Sequence, residues 1–256
     1  HMLILAFFRD IIWIMYYYLV SPIKIVRSDA SSFTYSSEER LPTGTIVEIE
    51  IGKAKSIGVV LQEVRCPDFE VKAIIKIIEK YPLPIELVQT AAWMSKYYAT
   101  HQATVWQTIL PSGLSKKRRN LNLSTSVISP QKRIKNVFTT EQRTALHTID
   151  NLHSGTVLLH GVTGSGKTLV YIEAVERALK EELPEIALTS QLVAEFSAHF
   201  PNVIVTHSKQ TEAQRHAAWK KIISSNDPVV IIGPRSALFM PVQQLGLVVI
   251  DECHEP

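Results

Sequence analysis

The chain has 256 residues, enough for two domains, and its 46% hydrophobic content provides for real cores. A net charge of +3 implies no overall electrostatic field. The two cysteines, Cys66 and Cys253, have neither metal-ligand spacing nor the density of a disulfide framework, which fits a reducing, cytoplasmic setting, and the nine histidines form no ligand pattern.

Leu3 to Val20 is apolar and aromatic, but Arg9 and Asp10 interrupt it. A membrane span needs about 20 apolar residues without central charges. A secretory signal places its positive charge before the apolar run and a small-residue cleavage site after it. Neither pattern fits, so no membrane association is expected, although a membrane tether through Leu3 to Val20 is retained as a third reading. Met15 reads as a natural initiator behind an upstream start, and His1 before Met2 resembles a cloning remnant.

From Tyr16 to about Glu79 the pattern is mostly β. Ile46 to Ile51 alternates in part, Gly52-Lys53-Ala54-Lys55 reads as a turn, and Ser56 to Val64 as the returning strand. Val71 to Ile78 is a third apolar run, and Pro82 and Pro84 break the pattern after it. Ile85 to Ala99 is predicted to be helical, with Leu87, Val88, Ala91, Ala92 and Tyr98 available for an apolar face. Trp93, Tyr97 and Trp106 suit either the core or stacking on bases. No acid lies between Glu86 and Glu141, whereas Lys96, Lys116, Lys117, Arg118, Arg119, Lys132, Arg133 and Lys135 do. Such a stripe suits a polyanion, nucleic acid above all, or forms a solvated basic linker. Pro111 to Asn136, with its Ser, Asn and Pro, reads as that linker.

An α/β pattern begins at Val137. A helix starts near Phe138-Thr139-Thr140-Glu141-Gln142, with Thr139 or Thr140 as its cap. The apolar run Thr156 to Leu159 predicts a strand. It leads into Gly161-Val162-Thr163-Gly164-Ser165-Gly166-Lys167-Thr168, the spacing of a phosphate-cradling loop, and Leu169 to Lys180 leaves that loop as a helix. Glycines let the backbone curl its N–H groups toward phosphate oxygens, and the helix N-terminus adds a favourable dipole. Lys167 would neutralise β- and γ-phosphates, and the Thr168 hydroxyl would hold magnesium. Val229 to Ile232 and Leu247 to Ile250 read as strands buried in a parallel sheet. The second ends in Asp251-Glu252-Cys253-His254, 84 residues after Lys167. Asp251 there would hold magnesium through water, and Glu252 would polarise an attacking water.

The phosphate loop and this acidic box together resemble the first motor lobe of DExH-type helicases. More closely, Thr163 to Thr168 with Tyr171 resembles the GVTGSGKT-x-x-Y of the PriA family of replication-restart helicases. Pro184 to Thr189 is similar to its PEIxLT motif, Arg235 to Pro241 to its RSAxFxP, and Asp251 to Pro256 to its DEEHEP box. His207-Ser208, Arg215 and Trp219 resemble the segment after PEIxLT. In the first half, Phe33-Thr34-Tyr35, Gly52-Lys53 and Lys72-Ala73-Ile74-Ile75 resemble the family's domain that grips a DNA 3′ end.

The resemblance implies an α/β protein, a small β-rich DNA-binding domain followed by a RecA-like parallel helicase lobe. The expected divisions are an N-terminal extension at 1–15, a 3′-end-binding domain at 16–110, a basic linker at 111–136 and a truncated lobe at 137–256. ATP and Mg2+ are the implied cofactors, with zinc only in a C-terminal part of the family's chains beyond Pro256. ATP would be held by Gly161, Thr163, Gly164, Ser165, Gly166, Lys167, Thr168 and Asp251, with Gln142 reading adenine. Thr168 and Asp251 would hold the metal, and Lys167, Asp251 and Glu252 would serve catalysis. Thr34, Gly52, Lys53, Lys72 and Arg235 would meet DNA, although a structural salt bridge is an equal reading of Arg235. Single-stranded and forked DNA, primosome proteins and single-stranded-DNA-binding protein are the implied partners of a monomeric 3′-to-5′ helicase, barely active in these residues alone.

This chain departs from the family in several places. Thr34 stands where an acid is usual, Pro234 where a Thr is usual, and only the 111–136 linker stands where a winged helix is usual. Glu181-Glu182-Leu183 runs directly into Pro184, where the family has a further strand. A non-catalytic DNA-binding module is therefore the rival reading.

Overall fold

The computed structural model describes residues 15–114, 137–152, 154–162, 164–180, 185–188, 193–207, 209–225 and 227–251. The chain divides into two compact units, one ending at Gln107 and one beginning at Thr108. The expected linker residues 115–136 lie outside the described residues, as do Thr163, Glu252, Cys253 and His254.

The first unit is built on strands β1 (Tyr16–Pro22), β2 (Phe33–Ser37), β3 (Ile46–Ile51), β4 (Ala54–Val64), β5 (Lys72–Ala73) and β6 (Lys76–Ile77), in the order β5-β2-β1-β4-β3-β6. Neighbours are antiparallel except β2 and β5. The run Val71 to Ile78, read from sequence as one apolar stretch, forms two separate two-residue strands because it changes partner midway. Ile74 N–H donates to Ser36 O at 2.8 Å, and Ile75 N–H donates to Glu48 O at 2.9 Å. Consecutive residues thus fasten the two opposite edges, and the sheet curls closed on itself. The β3–β4 hairpin turns on Gly52-Lys53 alone, since Ile51 pairs with Ala54. Gly52 has φ +60° and Lys53 does not follow it into positive φ, the signature of a tight turn with glycine first. The returning strand therefore starts at Ala54, two residues before the Ser56 expected from sequence.

Tyr18, Val20, Tyr35, Leu41, Val47, Ile49 and Val60 form the barrel core. Both buried phenols are satisfied, Tyr18 by accepting from Leu41 N–H at 2.8 Å and Tyr35 by donating to Glu50 O at 3.0 Å. Helices α1 (Ile85–Tyr97) and α2 (Gln102–Ile109) follow. Leu87, Val88 and Ala91 of α1 are buried. Ala92 and Tyr98 are exposed, so the apolar face is narrower than expected. Trp106 is fully buried and donates to Ser21 Oγ at 3.0 Å, which makes it core and removes it as a base-stacking candidate. Tyr16 to Val20 lie in β1, between β2 and β4, so that the last five residues of the apolar N-terminal run belong to a sheet and not to a membrane helix. Among the described residues no helix is long and apolar enough to cross a membrane.

The second unit contains α3 (Thr140–Asp150), α4 (Lys167–Lys180), β7 (Glu185–Leu188), α5 (Val193–His199), β8 (Val203–Val205), α6 (Glu212–Ile223), β9 (Val229–Ile232), a 3₁₀ turn (Arg235–Phe239) and β10 (Leu245–Val248). The strands form a parallel sheet in the order β10-β7-β9-β8. Strand β9 is buried on both faces. Val230 and Ile232 pack with Ile172, Val175, Phe196 and Phe200, and Val229 and Ile231 pack with Ile204, Ala218 and Ile222. Helices α4 and α5 therefore cover one face and α6 the other. The fold class is the expected one, a curled β-sheet domain followed by a parallel α/β lobe.

Two sequence expectations fail here. Residues 156–160 form no strand, and Leu158 is 79% exposed. Strand β10 ends at Val248, and Leu245 and Ile250 are each 55% exposed, so it is not the doubly covered strand that its apolar run suggests. Among the described strands β10 pairs with β7 alone, so it is an edge of the described sheet, only partly covered.

Candidate functional site

Helix α4 opens at Lys167, directly after the glycine loop, so Lys167 and Thr168 occupy its first turn. Gly164 and Gly166 take φ +81° and +77°, a backbone that only glycine adopts without strain. A Cβ on Gly161 would lie 2.7 Å from Ser165 Oγ, and one on Gly166 would lie 2.6 Å from Gln142 Nε2, whereas a Cβ on Gly164 would meet nothing within 4 Å. The loop is thus tight on its inner side and open at Gly164. Lys167 Nζ donates to Gly161 O at 2.6 Å and to Val162 O at 3.2 Å, so the ammonium is folded onto the carbonyls of its own loop.

Gln142, the adenine-reading residue implied by resemblance, helps cap α3 and meets the glycine loop. Of the two candidate caps, Thr139 is the one used: its Oγ1 accepts from Gln142 N–H at 3.3 Å, and Gln142 Oε1 accepts from Thr139 N–H at 3.0 Å. Gln142 Nε2 then donates to Ser165 O at 3.2 Å, tying the start of α3 to the loop. Beside it, Glu141 is held below the usual carboxylate range by its own N–H and by the Thr139 hydroxyl.

Asp251 lies three residues past β10 and is half-buried. Its Oδ1 accepts from the Tyr171 hydroxyl of α4 at 3.3 Å. The structure thus links Asp251 to the helix that carries Lys167 and Thr168. An ammonium, a hydroxyl, a carboxylate and a glycine cradle at a helix N-terminus fit a magnesium-bound triphosphate in donor chemistry. Among the described residues no cluster of His, Cys, Asp and Glu forms a ready metal cage.

In the first unit, Lys72 Nζ donates to Glu50 Oε1 at 2.5 Å and to Gly52 O at 2.6 Å. Lys72 also pairs in register with Tyr35, the neighbour of Thr34. Strand β5, the β3–β4 turn and β2 therefore converge, bringing Lys72 and Gly52 together with Thr34 close by in register. Lys53 is exposed beside Gly52, and a Cβ on Gly52 would meet nothing within 4 Å. Burial, and then the Glu50 charge, raise the Tyr35 phenol above its ordinary pKa. Sequence reasoning missed Glu50, whose tie to Lys72 spans 22 residues and leaves no local signal. Arg235 is exposed at the start of the 3₁₀ turn after β9. Trp93, Tyr97 and Tyr98 are 56%, 67% and 62% exposed, and the first two stack with centroids 4.8 Å apart.

Residues 22–111 match the family described as the PriA 3′DNA-binding domain, and residues 139–256 match the DEAD/DEAH box helicase family. The replication restart protein PriA of Helicobacter pylori (strain ATCC 700392 / 26695) is 33% identical over 251 residues, which cover 94% of this chain and 38% of the relative. PriA of Rickettsia felis is 31% identical over 229 residues, 84% of this chain and 34% of the relative. PriA of Bacillus subtilis is 41% identical over 129 residues, 46% of this chain and 16% of the relative. The chain thus spans no more than 38% of the length of these relatives.

Proposed function

The chain belongs with PriA, carrying the PriA 3′DNA-binding domain ahead of a DEAD/DEAH box helicase domain, and we propose that it forms the DNA-gripping and nucleotide-binding part of an ATP-driven 3′-to-5′ helicase of replication restart. The observation that carries this reading is the glycine cradle at α4, with Lys167 at its mouth and Asp251 tied to the same helix.

Bound ATP would supply a transferable phosphoryl group whose hydrolysis drives movement. Lys167 would exchange the carbonyls of Gly161 and Val162 for phosphate oxygens, which form stronger charge-assisted bonds. Thr168 and Asp251 would hold magnesium, and Glu252 would orient water. The N–H groups around Gly164 and Gly166 would accept the phosphates, with Gln142 bracing Ser165 from behind. In the first unit Gly52 would let a terminal nucleotide approach the backbone, Lys53 and Lys72 would meet phosphate, and Trp93 and Tyr97 would offer a stacking surface. Arg235 would touch the DNA backbone. Single-stranded and forked DNA, primosome proteins and single-stranded-DNA-binding protein are the proposed partners of a cytoplasmic monomer. Transition-state arginines of related motors come from a second lobe and are worth about 10³-fold or more. These residues alone would therefore bind nucleotide and barely turn it over.

An ATPase assay with and without single-stranded DNA, run beside binding of a fluorescent ATP analogue, tests the reading. Magnesium-dependent binding supports it, and no binding at millimolar nucleotide overturns it. The rival, a DNA-binding module without nucleotide chemistry, is favoured by residues 156–160, which give the loop no strand to stand on.

A further inference from the structure

We propose that Tyr171 is the positioning residue for the Asp251 carboxylate and through it sets the magnesium-dependent part of nucleotide affinity. The inference rests on the nucleotide-site reading above. Tyr171 lies four residues after Lys167 and three after Thr168 on α4, so all three share one helix face. Its hydroxyl reaches across 80 residues of sequence to Asp251 Oδ1 at 3.3 Å. Its ring packs against the core cluster of Ile172, Val175, Phe196, Phe200, Val230 and Ile232, so the hydroxyl projects from an anchored base.

Asp251 needs such a tie. It follows a strand whose described pairing is with β7 alone, and although Val249 packs against the core, Ile250, its immediate neighbour, is 55% exposed. The sheet therefore does little to hold the carboxylate. A carboxylate has two oxygens and about four acceptor positions. The Tyr171 bond occupies one position on Oδ1 and leaves Oδ2 for a metal-bound water. Without it the carboxylate must lose rotamer freedom when the cation arrives, and affinity falls by that amount.

Tyr171→Phe tests this with the ring kept in place. The full chain is titrated with a fluorescent ATP analogue in magnesium and again in EDTA. The variant is expected to bind about five-fold more weakly in magnesium, the worth of one hydrogen bond, and equally well in EDTA. In an Asp251→Asn background the same substitution is expected to add no further loss, because the two residues act as one unit. Equal weakening in both buffers, or additive loss in the double variant, overturns the proposal, since a packing role acts regardless of metal. A wild-type magnesium dependence that Tyr171→Phe leaves intact overturns this inference alone. No magnesium dependence in the wild type overturns the nucleotide-site reading and this inference with it.

Discussion

Replacing Glu50 by glutamine removes the carboxylate charge from Lys72, which keeps its bond to Gly52 O at 2.6 Å, and leaves the barrel's hydrogen bonds in place, because Tyr35 donates to the backbone oxygen of Glu50 and not to its carboxylate. In the native chain Lys72 Nζ sits 2.5 Å from Glu50 Oε1, with the two side chains 50% and 44% exposed. An exposed pair of this kind contributes up to about 1 kcal/mol, so stability is expected to fall by no more than that. Freed of the neutralising carboxylate, the Lys72 charge becomes available to phosphate. Each phosphate neutralised on a single strand adds about 0.7 to the slope of log affinity against log salt. The variant is therefore expected to bind a short oligonucleotide with a slope steeper by about 0.7. The affinity gain at low salt is capped near five-fold, the worth of the broken pair. Anisotropy titrations across a salt series measure both quantities. Lys72→Ala in the Glu50→Gln background should return the slope to its starting value. Identical slopes for wild type and Glu50→Gln would show that Lys72 braces the hairpin and does not meet DNA.

Lys167→Ala should weaken binding of a fluorescent ATP analogue by about 100-fold, the loss of a charged hydrogen-bonding group. Its melting temperature should stay within a few degrees of wild type, because among the described residues the ammonium bonds the carbonyls of its own loop, and retained affinity would refute the phosphate-loop assignment. Thr34→Asp should raise the preference for a 3′-hydroxyl over a 3′-phosphate end, since an ionised acceptor bonds a sugar hydroxyl about twice as strongly as a neutral one. Anisotropy on one oligonucleotide with each end measures this, and equal binding of both ends by both proteins would mean that the pocket holds DNA by charge alone. The barrel should lose stability at alkaline pH. The Tyr35 phenol is raised in the folded state by burial and by Glu50, so its contribution is complete below the unfolded value near 10 and disappears as pH rises through the folded value. Urea melts between pH 8 and 11 should show this decline, and Tyr35→Phe should make it shallower, leaving the share of Tyr18, which burial also raises, after a loss of about 1 kcal/mol at pH 8 for the missing bond to Glu50 O.

What was legible in the sequence was local. Alternation over Ile46 to Ile51, the continuous run Val229 to Ile232 and the glycine loop before Leu169 each announce themselves within a few residues and are where they were expected, and the turn at Gly52 is found, two residues shorter than read. The errors concern partnership. Leu247 to Ile250 has the composition of a buried strand, but in the described sheet it pairs on one side only, and Ile250 is exposed. Trp106 and Trp93 are indistinguishable by type, yet one bonds Ser21 in the core and the other stacks on Tyr97 at the surface. The ties that shape both sites, Lys72 to Glu50 and Tyr171 to Asp251, join residues 22 and 80 positions apart. Nothing in a single chain's pattern marks such pairs.

The segment that closes the barrel has a further consequence for solubility. Strands β5 and β6 have two residues each, all exposed, yet they cap the outer edges of β2 and β3 at once. An uncovered edge is a template for pairing with another chain. Opening one short latch would bare two such edges together, next to the exposed Phe69 and Ile75. Lys72 and Lys76 sit on that latch and are each paired with a glutamate of β3, Glu50 and Glu48. The charges that fasten it also repel a second copy of the same segment. Lys72, proposed above to meet DNA phosphate, thereby doubles with Lys76 as a guard against strand-to-strand aggregation.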